Sequence, residues 1–212
     1  MRLDGKLAEH DVATIHHEVI DADPARVYVV AIEADLAVAA HRSRAVAALL
    51  AARAAPTRLV RGLRRRPAPT VDPVRLSTLP DPGEWVWLNE DFGREIVFGA
   101  VGRVGARSVS WRQIRGSEFD RFGEPGFARV AANLSLKPDG AGRTVLSFEL
   151  RALATDPETR RRLRRYWRFA APLVGQFMRG VLRYVKEEAE RPYASETPPP
   201  SRAASRASSS SA

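Results

Sequence analysis

The sequence lacks cysteine altogether, and only three of its 34 basic residues are lysine. Without cysteine, neither a disulfide framework nor a thiolate metal site can form, and nothing indicates an oxidising compartment. The longest apolar run, residues 46–52, is too short to span a bilayer. The N-terminus carries charges where a signal peptide needs an apolar segment. These absences together predict a soluble cytoplasmic protein.

Arginine supplies almost all of the net charge of +9, with 31 arginines against three lysines. Such an excess is typical of proteins that bind nucleic acid or anionic membranes, and segments 58–66 and 160–168 are especially basic. The arginines are nevertheless spread along the chain, and the densest group falls on the solvent face of a predicted helix. We therefore do not expect nucleic acid as a partner, and we keep a membrane surface as a weaker alternative.

A long amphipathic helix is predicted at residues 155–190, where apolar residues recur at helical spacing and arginines fall on the opposite side. Its first turn can be capped by Asp156, or by Thr155 in a Thr-x-x-Glu capping box with Glu158. Pro172 removes a backbone donor inside the helix, so we expect a bend there. The bend is either a static kink or the hinge of a gate.

Short strands are predicted in the middle of the chain, where helical periodicity disappears and turn residues alternate with apolar runs. Their segments are residues 74–79, 84–90, 94–104, 108–114, 127–137 and 143–154. Another strand at residues 14–21 and a short capped helix at residues 22–36 come before them. Consecutive strands with short connections predict an antiparallel meander.

The last two strands have the clearest pairing, because residues 138–142 read PDGAG, a hairpin turn. Pairing Leu134 with Leu146 makes one face of the hairpin apolar throughout. The same register collects the polar side chains on the opposite face. These side chains are Arg129, Asn133, Ser147, Glu149 and Arg151.

No motif for a metal or a cofactor is found, and we expect neither. His16 and His17 are adjacent on a strand, so their side chains point to opposite faces and cannot chelate one ion. The glycines of FGAVGRVG, residues 98–105, lie in a strand pattern that no helix follows, which argues against a dinucleotide site. They are more typical of a bend or bulge in a sheet.

One domain is predicted at residues 11–190, following an N-terminal arm at residues 1–10. It contains an Ala- and Arg-rich helical insertion at residues 36–66, which would decide whether a pocket has a lid. Residues 191–212 are rich in Pro, Ser and Ala and are predicted to be disordered. The oligomeric state does not follow from the sequence.

The order of these elements is similar to the helix-grip fold of the START-like, or SRPBCC, superfamily of lipid-transfer proteins and polyketide cyclases. The resemblance rests on HHEVIDADPARVYVVAIE, GEWVWLNEDFGREIVFGAVGRV and SFELRALATD, and on RRYWRFAAPLVGQFMRGVLRYVKEEAE in the last helix. It covers about residues 11–190. It implies an α+β fold in which a curved antiparallel sheet wraps a long C-terminal helix and encloses a cavity for a small hydrophobic molecule.

The candidate cavity walls are apolar side chains on strands and on the last helix: Trp85, Trp87, Phe98, Trp111, Phe177 and Val181. The candidate polar anchors are Asn133, Glu149 and Arg151. Each set has a plainer interpretation, the aromatic residues as ordinary core and the polar residues as a solvated sheet face.

Two functions follow from this architecture. The leading hypothesis is binding of a hydrophobic or amphipathic molecule, lipid-like or polyketide-like, with no catalysis or only weak catalysis. The alternative is a cyclase or aromatase in which Glu149 or Arg151 assists proton transfer. The identity of the ligand does not follow from the sequence.

Overall fold

A curved six-stranded antiparallel sheet and one long helix form the body of the structure, a computed structural model that describes residues 2–35, 75–105 and 108–192. The strands are β1 (Val12–Ile20), β2 (Trp85–Asp91), β3 (Glu95–Val104), β4 (Val109–Arg112), β5 (Phe127–Pro138) and β6 (Thr144–Ala154). The helices are α1 (Arg2–Leu7), α2 (Pro24–Glu33) and α3 (Pro157–Ala189), with 3₁₀ helices at Leu76–Thr78 and Gly116–Arg121.

The strand order is β1-β6-β5-β3-β2, and β4 pairs with the second half of β3. The helix α3 packs on one face of this sheet, mainly against β1 and β6. The predicted helix-grip arrangement of the α+β class is therefore confirmed. The predicted insertion at residues 36–66 and the predicted tail beyond residue 192 lie outside the described residues.

The two faces of the sheet have separate apolar layers because side chains alternate along each strand. The face toward α3, which we call the concave face, carries Phe98, Leu134 and Phe148, which pack with the buried helix residues Met178 and Val181. The opposite, convex face forms a second layer with α1. Its members include Leu3, Leu7, Val86, Val97, Val101, Phe119 and Ala131.

The helix α1 is an element that the sequence analysis did not predict, since residues 1–10 were interpreted as an arm. Leu3 is fully buried and Leu7 is 2% exposed. The carboxylate of Glu95 accepts hydrogen bonds from the backbone N–H groups of Arg2 and Leu3, at 2.8 and 3.1 Å. The first N–H groups of a helix have no acceptor within the helix. By accepting from two of them, Glu95 fixes α1 on the sheet.

The β5–β6 hairpin has a different register from the predicted one. Leu134 pairs with Phe148 and Leu136 with Leu146, whereas the prediction paired Leu134 with Leu146. The turn, residues 139–143, is centred one residue later than expected, and its two glycines have φ of 75° and 74°. Moving the turn by one residue shifts the pairing by two, which leaves every side chain on its predicted face.

The predicted strand at residues 74–79 is wrong in its described part, from residue 75 on. The chain forms the 3₁₀ helix Leu76–Thr78 instead, and Leu76 is fully buried. The carbonyl of Leu76 accepts a 2.6 Å hydrogen bond from the indole of Trp87. The helical turn provides hydrogen bonds for the backbone of this segment while it buries Leu76. An extended strand would need a neighbouring strand to provide them.

Asp156 caps the first turn of α3 by accepting hydrogen bonds from the backbone N–H groups of Glu158 and Thr159. The alternative, a Thr155–Glu158 capping box, is not formed. The hydroxyl of Thr155 instead donates to the carbonyl of Phe127. Asp156 also accepts from Thr159 Oγ1 at 2.5 Å and, at 2.8 Å, from the N–H of the glycine that precedes β5.

The helix α3 continues through Pro172 without interruption. Close behind the proline, Gly175 lies against β1, where a Cβ atom would come within 2.9 Å of His16 Nε2. Arg179 Nη1 is 3.3 Å from the same nitrogen. Glycine therefore permits close contact between α3 and β1. A hinge at Pro172 stays a prediction.

Replacing Asp156 with Ala should lower the melting temperature, because it removes the cap of α3 and the link to the loop before β5. Hydrogen bonds from Thr159 and from backbone N–H groups lower the pKa of Asp156. The stability that its charge contributes is therefore full above the unfolded pKa of about 3.9 and is lost as the pH falls toward the lower folded value. Thermal unfolding of D156A at neutral and acidic pH measures both effects. E158Q, on the same turn, is the control, and an equal loss in both variants would contradict the assignment.

His16 should make the contact between α3 and β1 sensitive to acid. Burial, with the charges of Arg179 and His17, lowers the pKa of His16. The unfolded chain then binds the proton more readily, so stability is full above about pH 6.5 and falls as the pH drops toward the folded pKa. Urea unfolding across this range should show a shallower pH dependence in H16Q than in the wild type. H10Q, which removes an exposed histidine, is the control; equal pH slopes for H16Q and the wild type would contradict the assignment.

Candidate ligand cavity

A cavity of about 430 Å³ lies between the concave face of the sheet and residues 163–177 of α3. Its walls on the sheet side are Trp85, Phe98, Val109, Trp111, Val130, Ala132, Phe148, Leu150 and Ala152. Its walls on the helical side are Leu76, Leu79, Leu163, Tyr166, Trp167, Val174 and Phe177. This volume lies within the range of about 300–1,000 Å³ that small-molecule sites occupy.

The described lining is almost entirely apolar. It contains no charged side chain and no histidine, and its only hydroxyl belongs to Tyr166. The other polar side-chain atoms are the indole N–H groups of Trp85, Trp111 and Trp167. Such a lining can bury apolar surface, but it offers few partners to a polar ligand, and a polar group left unpaired there is costly.

A chain of aromatic rings crosses the cavity wall from β4 to α3. The ring centroids are 5.4 Å apart for Trp111 and Trp85, and 5.8 Å for Trp85 and Phe98. The next steps, Phe98 to Phe148 and Phe148 to Phe177, measure 6.2 and 6.3 Å. All four pairs are tilted or edge-on, the geometries that aromatic rings prefer. These contacts hold the wall in a defined shape.

Small residues on the concave face leave the space that the cavity occupies. Ala132 and Ala152 line it from neighbouring strands where larger side chains would fill it. At Gly102, a Cβ atom would lie 3.0 Å from the ring of Trp111 and 2.3 Å from Val109 Cγ1. The absence of a side chain at this position lets Trp111 lie across β3, so this glycine serves close packing, whereas the sequence analysis interpreted it as part of a bend or bulge.

Four of the predicted wall residues line the cavity, namely Trp85, Phe98, Trp111 and Phe177. The other two, Trp87 and Val181, do not line it. Trp87 packs against the main core and donates its hydrogen bond to a backbone carbonyl, and Val181 is fully buried in that core. Contact between the four lining residues and a ligand stays a prediction.

The three predicted polar anchors do not reach the cavity. Asn133 alternates with the lining residue Ala132 on β5, and Glu149 and Arg151 alternate with Leu150 on β6, so all three side chains lie on the convex face. The expectation that they face the cavity is therefore corrected. The plainer interpretation, a solvated polar face, is also incorrect, since all three residues are buried.

A buried polar layer holds α1 on the convex face. Arg151 donates to Glu149 at 2.6 Å, to Asp4 at 2.8 Å and to the carbonyl of Leu7 at 3.1 Å. The hydrogen bond from Arg151 lowers the pKa of Asp4. Beside this group, Asn133 donates to Glu95 at 2.7 Å, the carboxylate that receives the first N–H groups of α1. The contacts of these residues explain how α1 is attached.

Several lining residues were absent from the sequence-based site. Val130, Ala132 and Leu150 fall on the apolar face that the hairpin pattern predicted, and Tyr166 and Trp167 on the apolar face of the last helix. The signal was present, but it did not separate residues that face the cavity from residues that pack directly on the sheet. That separation depends on the distance between α3 and the sheet.

Within the three described ranges, no group of three or more His, Cys, Asp or Glu residues could hold a metal ion. His16 contacts α3, whereas His17 Nδ1 is 2.7 Å from Ser147 Oγ on the convex face, so the two rings do point apart. No described helix combines the length and apolar character that crossing a membrane requires.

The chain matches no protein-family model and no curated protein sequence. Among solved structures it is similar to a protein of Thermus thermophilus, with 13% identity, a TM-score of 0.33, and coverage of 84% of this chain and 97% of that one. It is also similar to the Zhui aromatase/cyclase of a Streptomyces species, with 15% identity, a TM-score of 0.30, and coverage of 85% and 94%.

A third similar structure is the di-domain aromatase/cyclase StfQ of the steffimycin biosynthetic pathway, with 13% identity and a TM-score of 0.33. The match covers 89% of this chain and 54% of that one. The similar structures thus include aromatase/cyclases, as the resemblance in sequence predicts. Because these TM-scores lie below 0.5, the function of this chain has to follow from the geometry of its own cavity.

Replacing Glu149 with Ala should destabilise the protein without changing what the cavity binds. Arg151 would lose one of its two carboxylate partners while it stays buried. Breaking a buried ion pair costs roughly 3–5 kcal/mol, and because Asp4 remains, we expect a loss at the lower end of that range in the free energy of unfolding. Urea unfolding and binding of a fluorescent apolar probe measure the two properties. R143Q removes one side of an exposed ion pair and should change neither property. Loss of probe binding in folded E149A would contradict the placement of Glu149 outside the cavity.

Proposed function

We propose that this protein binds one small, mainly apolar molecule in the cavity between the sheet and α3. The observation that carries the proposal is a space of about 430 Å³ whose described walls contain no charged side chain and seven aromatic rings. Filling that space would remove apolar surface of both the ligand and the walls from water, which is favourable in proportion to the area buried.

The size and polarity of the cavity limit the ligand. A space of about 430 Å³ is of the size that small-molecule sites occupy. The described lining offers the oxygens of a ligand only the hydroxyl of Tyr166 and the indole N–H groups of three tryptophans. A ligand with several buried polar groups would lose hydrogen bonds to water without replacement. We therefore favour an apolar body that carries few oxygens.

A cyclase or aromatase remains the alternative class, and two of the similar structures are aromatase/cyclases. The two residues suggested for proton transfer, Glu149 and Arg151, lie on the convex face and cannot reach a molecule in the cavity. Tyr166 is the only described lining residue with a hydroxyl. No described geometry specifically favours catalysis, and binding is the function that the cavity supports.

Native mass spectrometry of protein purified from its own host tests the proposal most broadly. The expected result is a bound species, released on unfolding, whose mass corresponds to a small apolar molecule. A ligand that binds only the folded state also raises the melting temperature. Adding the released molecule back to protein from which it was removed should therefore raise the melting temperature of that protein. Protein that carries no species and is stabilised by no apolar compound would contradict the proposal.

Replacing Leu150 with Trp should abolish or strongly weaken ligand binding, because the added ring occupies the cavity. The matched control is L153W, since Leu153 is on the same strand and similarly half-buried but faces away from the cavity. Titration with 1-anilinonaphthalene-8-sulfonate, an apolar fluorescent anion, measures the difference. We expect at least about a tenfold loss of affinity in L150W, corresponding to about 1.4 kcal/mol, and little change in L153W. Equal binding by both folded variants would show that the probe does not bind in the cavity, which would contradict the proposed site.

A further inference from the structure

The outer face of α3 carries arginines that have no acidic partner. Between residues 159 and 186 the chain contains eight arginines and no Asp or Glu. Arg160 and Arg164 share Asp11 with N–O distances of 2.7 and 3.5 Å, and Arg162 pairs with a glutamate one turn earlier. Lys186 pairs with Glu18 and Glu190 at the end of the segment. The other five arginines form no ion pair with the described residues.

Arg161, Arg165 and Arg168 are exposed, and their side chains form no hydrogen bond or ion pair with the described residues. With 3.6 residues per turn, the three side chains fall within about 60° of one another around the helix. The residues of α3 that line the cavity project from the opposite side. These three arginines and Phe169 are named the outer face of α3 below.

Phe169 lies beside Arg165 on this face, and 77% of its surface is exposed. The other strongly exposed phenylalanine, Phe92, contacts the ring of Tyr28 with 5.0 Å between centroids. Phe169 has no such ring partner among the described residues. An exposed phenyl ring among unpaired guanidinium groups combines an apolar contact with a positive field, and both would gain from one partner with an anionic surface and an apolar interior.

We infer that the outer face of α3 docks on an anionic membrane surface, with Phe169 inserted among the lipid headgroups. Arginines beside an anionic leaflet are attracted to it, and a ring at the headgroup level buries apolar area without crossing the bilayer. The four side chains project outward from one side of a single helix, away from the sheet. Such a surface suits a flat partner. The same segment of α3 forms one wall of the cavity, so docking would hold the cavity close to a source of apolar molecules.

This inference concerns a surface and does not rest on the proposed function. If vesicle binding fails while the cavity still binds the fluorescent probe, only the docking is overturned. If the cavity binds nothing while vesicle binding persists, only the proposed function is overturned.

Co-sedimentation of the full chain with vesicles tests the docking. The wild type should bind vesicles of mixed phosphatidylcholine and phosphatidylserine and should bind pure phosphatidylcholine vesicles weakly. R161Q/R165Q should reduce the partition coefficient about 25-fold, from about fivefold for each arginine near an anionic surface. R94Q/R121Q has the same net charge with both changes at exposed positions outside α3, so it should lose little. F169A should lose at least about fivefold, and F92A, the matched exposed phenylalanine, should not.

Several results would overturn the inference. They are absence of wild-type binding to the anionic vesicles, equal losses in the two arginine pairs, and equal losses in the two phenylalanine variants. Binding to poly-glutamate that R161Q/R165Q abolishes, without binding to vesicles, would show instead that this face takes an acidic protein. Circular dichroism of each variant confirms that the substitutions, all at exposed positions, leave the fold intact.

Discussion

The alternation of side chains along β5 and β6 is the constraint on which the rest of the structure depends. Each residue on these central strands must face either α3 or α1, and a change of one position would exchange the two faces. Apolar residues at alternate positions therefore give the concave wall, and Asn133, Glu149 and Arg151 lie between them on the convex side. The cavity is apolar, and the polar layer holds α1, for the same geometric reason.

The depth of the concave face comes from the sizes of its side chains. Ala132 and Ala152 leave space between the sheet and the helix, and Gly102 lets Trp111 lie across β3. The helix α3 is held at its start by Asp156 and near its middle by the contact of Gly175 with His16. Its inner side closes the cavity, and its outer side carries the unpaired arginines. One helix thus relates the proposed binding site to the proposed docking surface.

The sequence predicted the parts of the fold that follow from periodicity. The helical pattern of residues 155–190 and the alternation in β3, β5 and β6 were sufficient for element type and for the assignment of faces. The hairpin register was wrong by two residues, because the pattern fixes only which face a side chain occupies and the turn decides the pairing. The helix α1 was missed because its six residues are too few for a reliable period, and its attachment depends on Glu95, a residue distant in sequence.

The candidate site was predictable only in part, for a related reason. Aromatic residues on the apolar faces were correctly expected near a cavity, and Trp85, Phe98, Trp111 and Phe177 do line it. The same pattern could not exclude Trp87 or Val181, since core and cavity wall share one face. The polar anchors were placed wrongly because the helix that covers them was not predicted. Arg151 pairs with Glu149 and with Asp4, a residue of that helix.

The most direct test of a dry, apolar, ligand-accessible cavity is diffraction from crystals of this protein held under xenon, which enters empty apolar cavities without needing hydrogen bonds. The account predicts xenon bound between Phe98, Phe148 and Leu150 on the sheet and Phe177 on the helix, or a bound apolar molecule already occupying that space. A space filled by ordered water, or side chains packed so closely that no xenon enters, would contradict it.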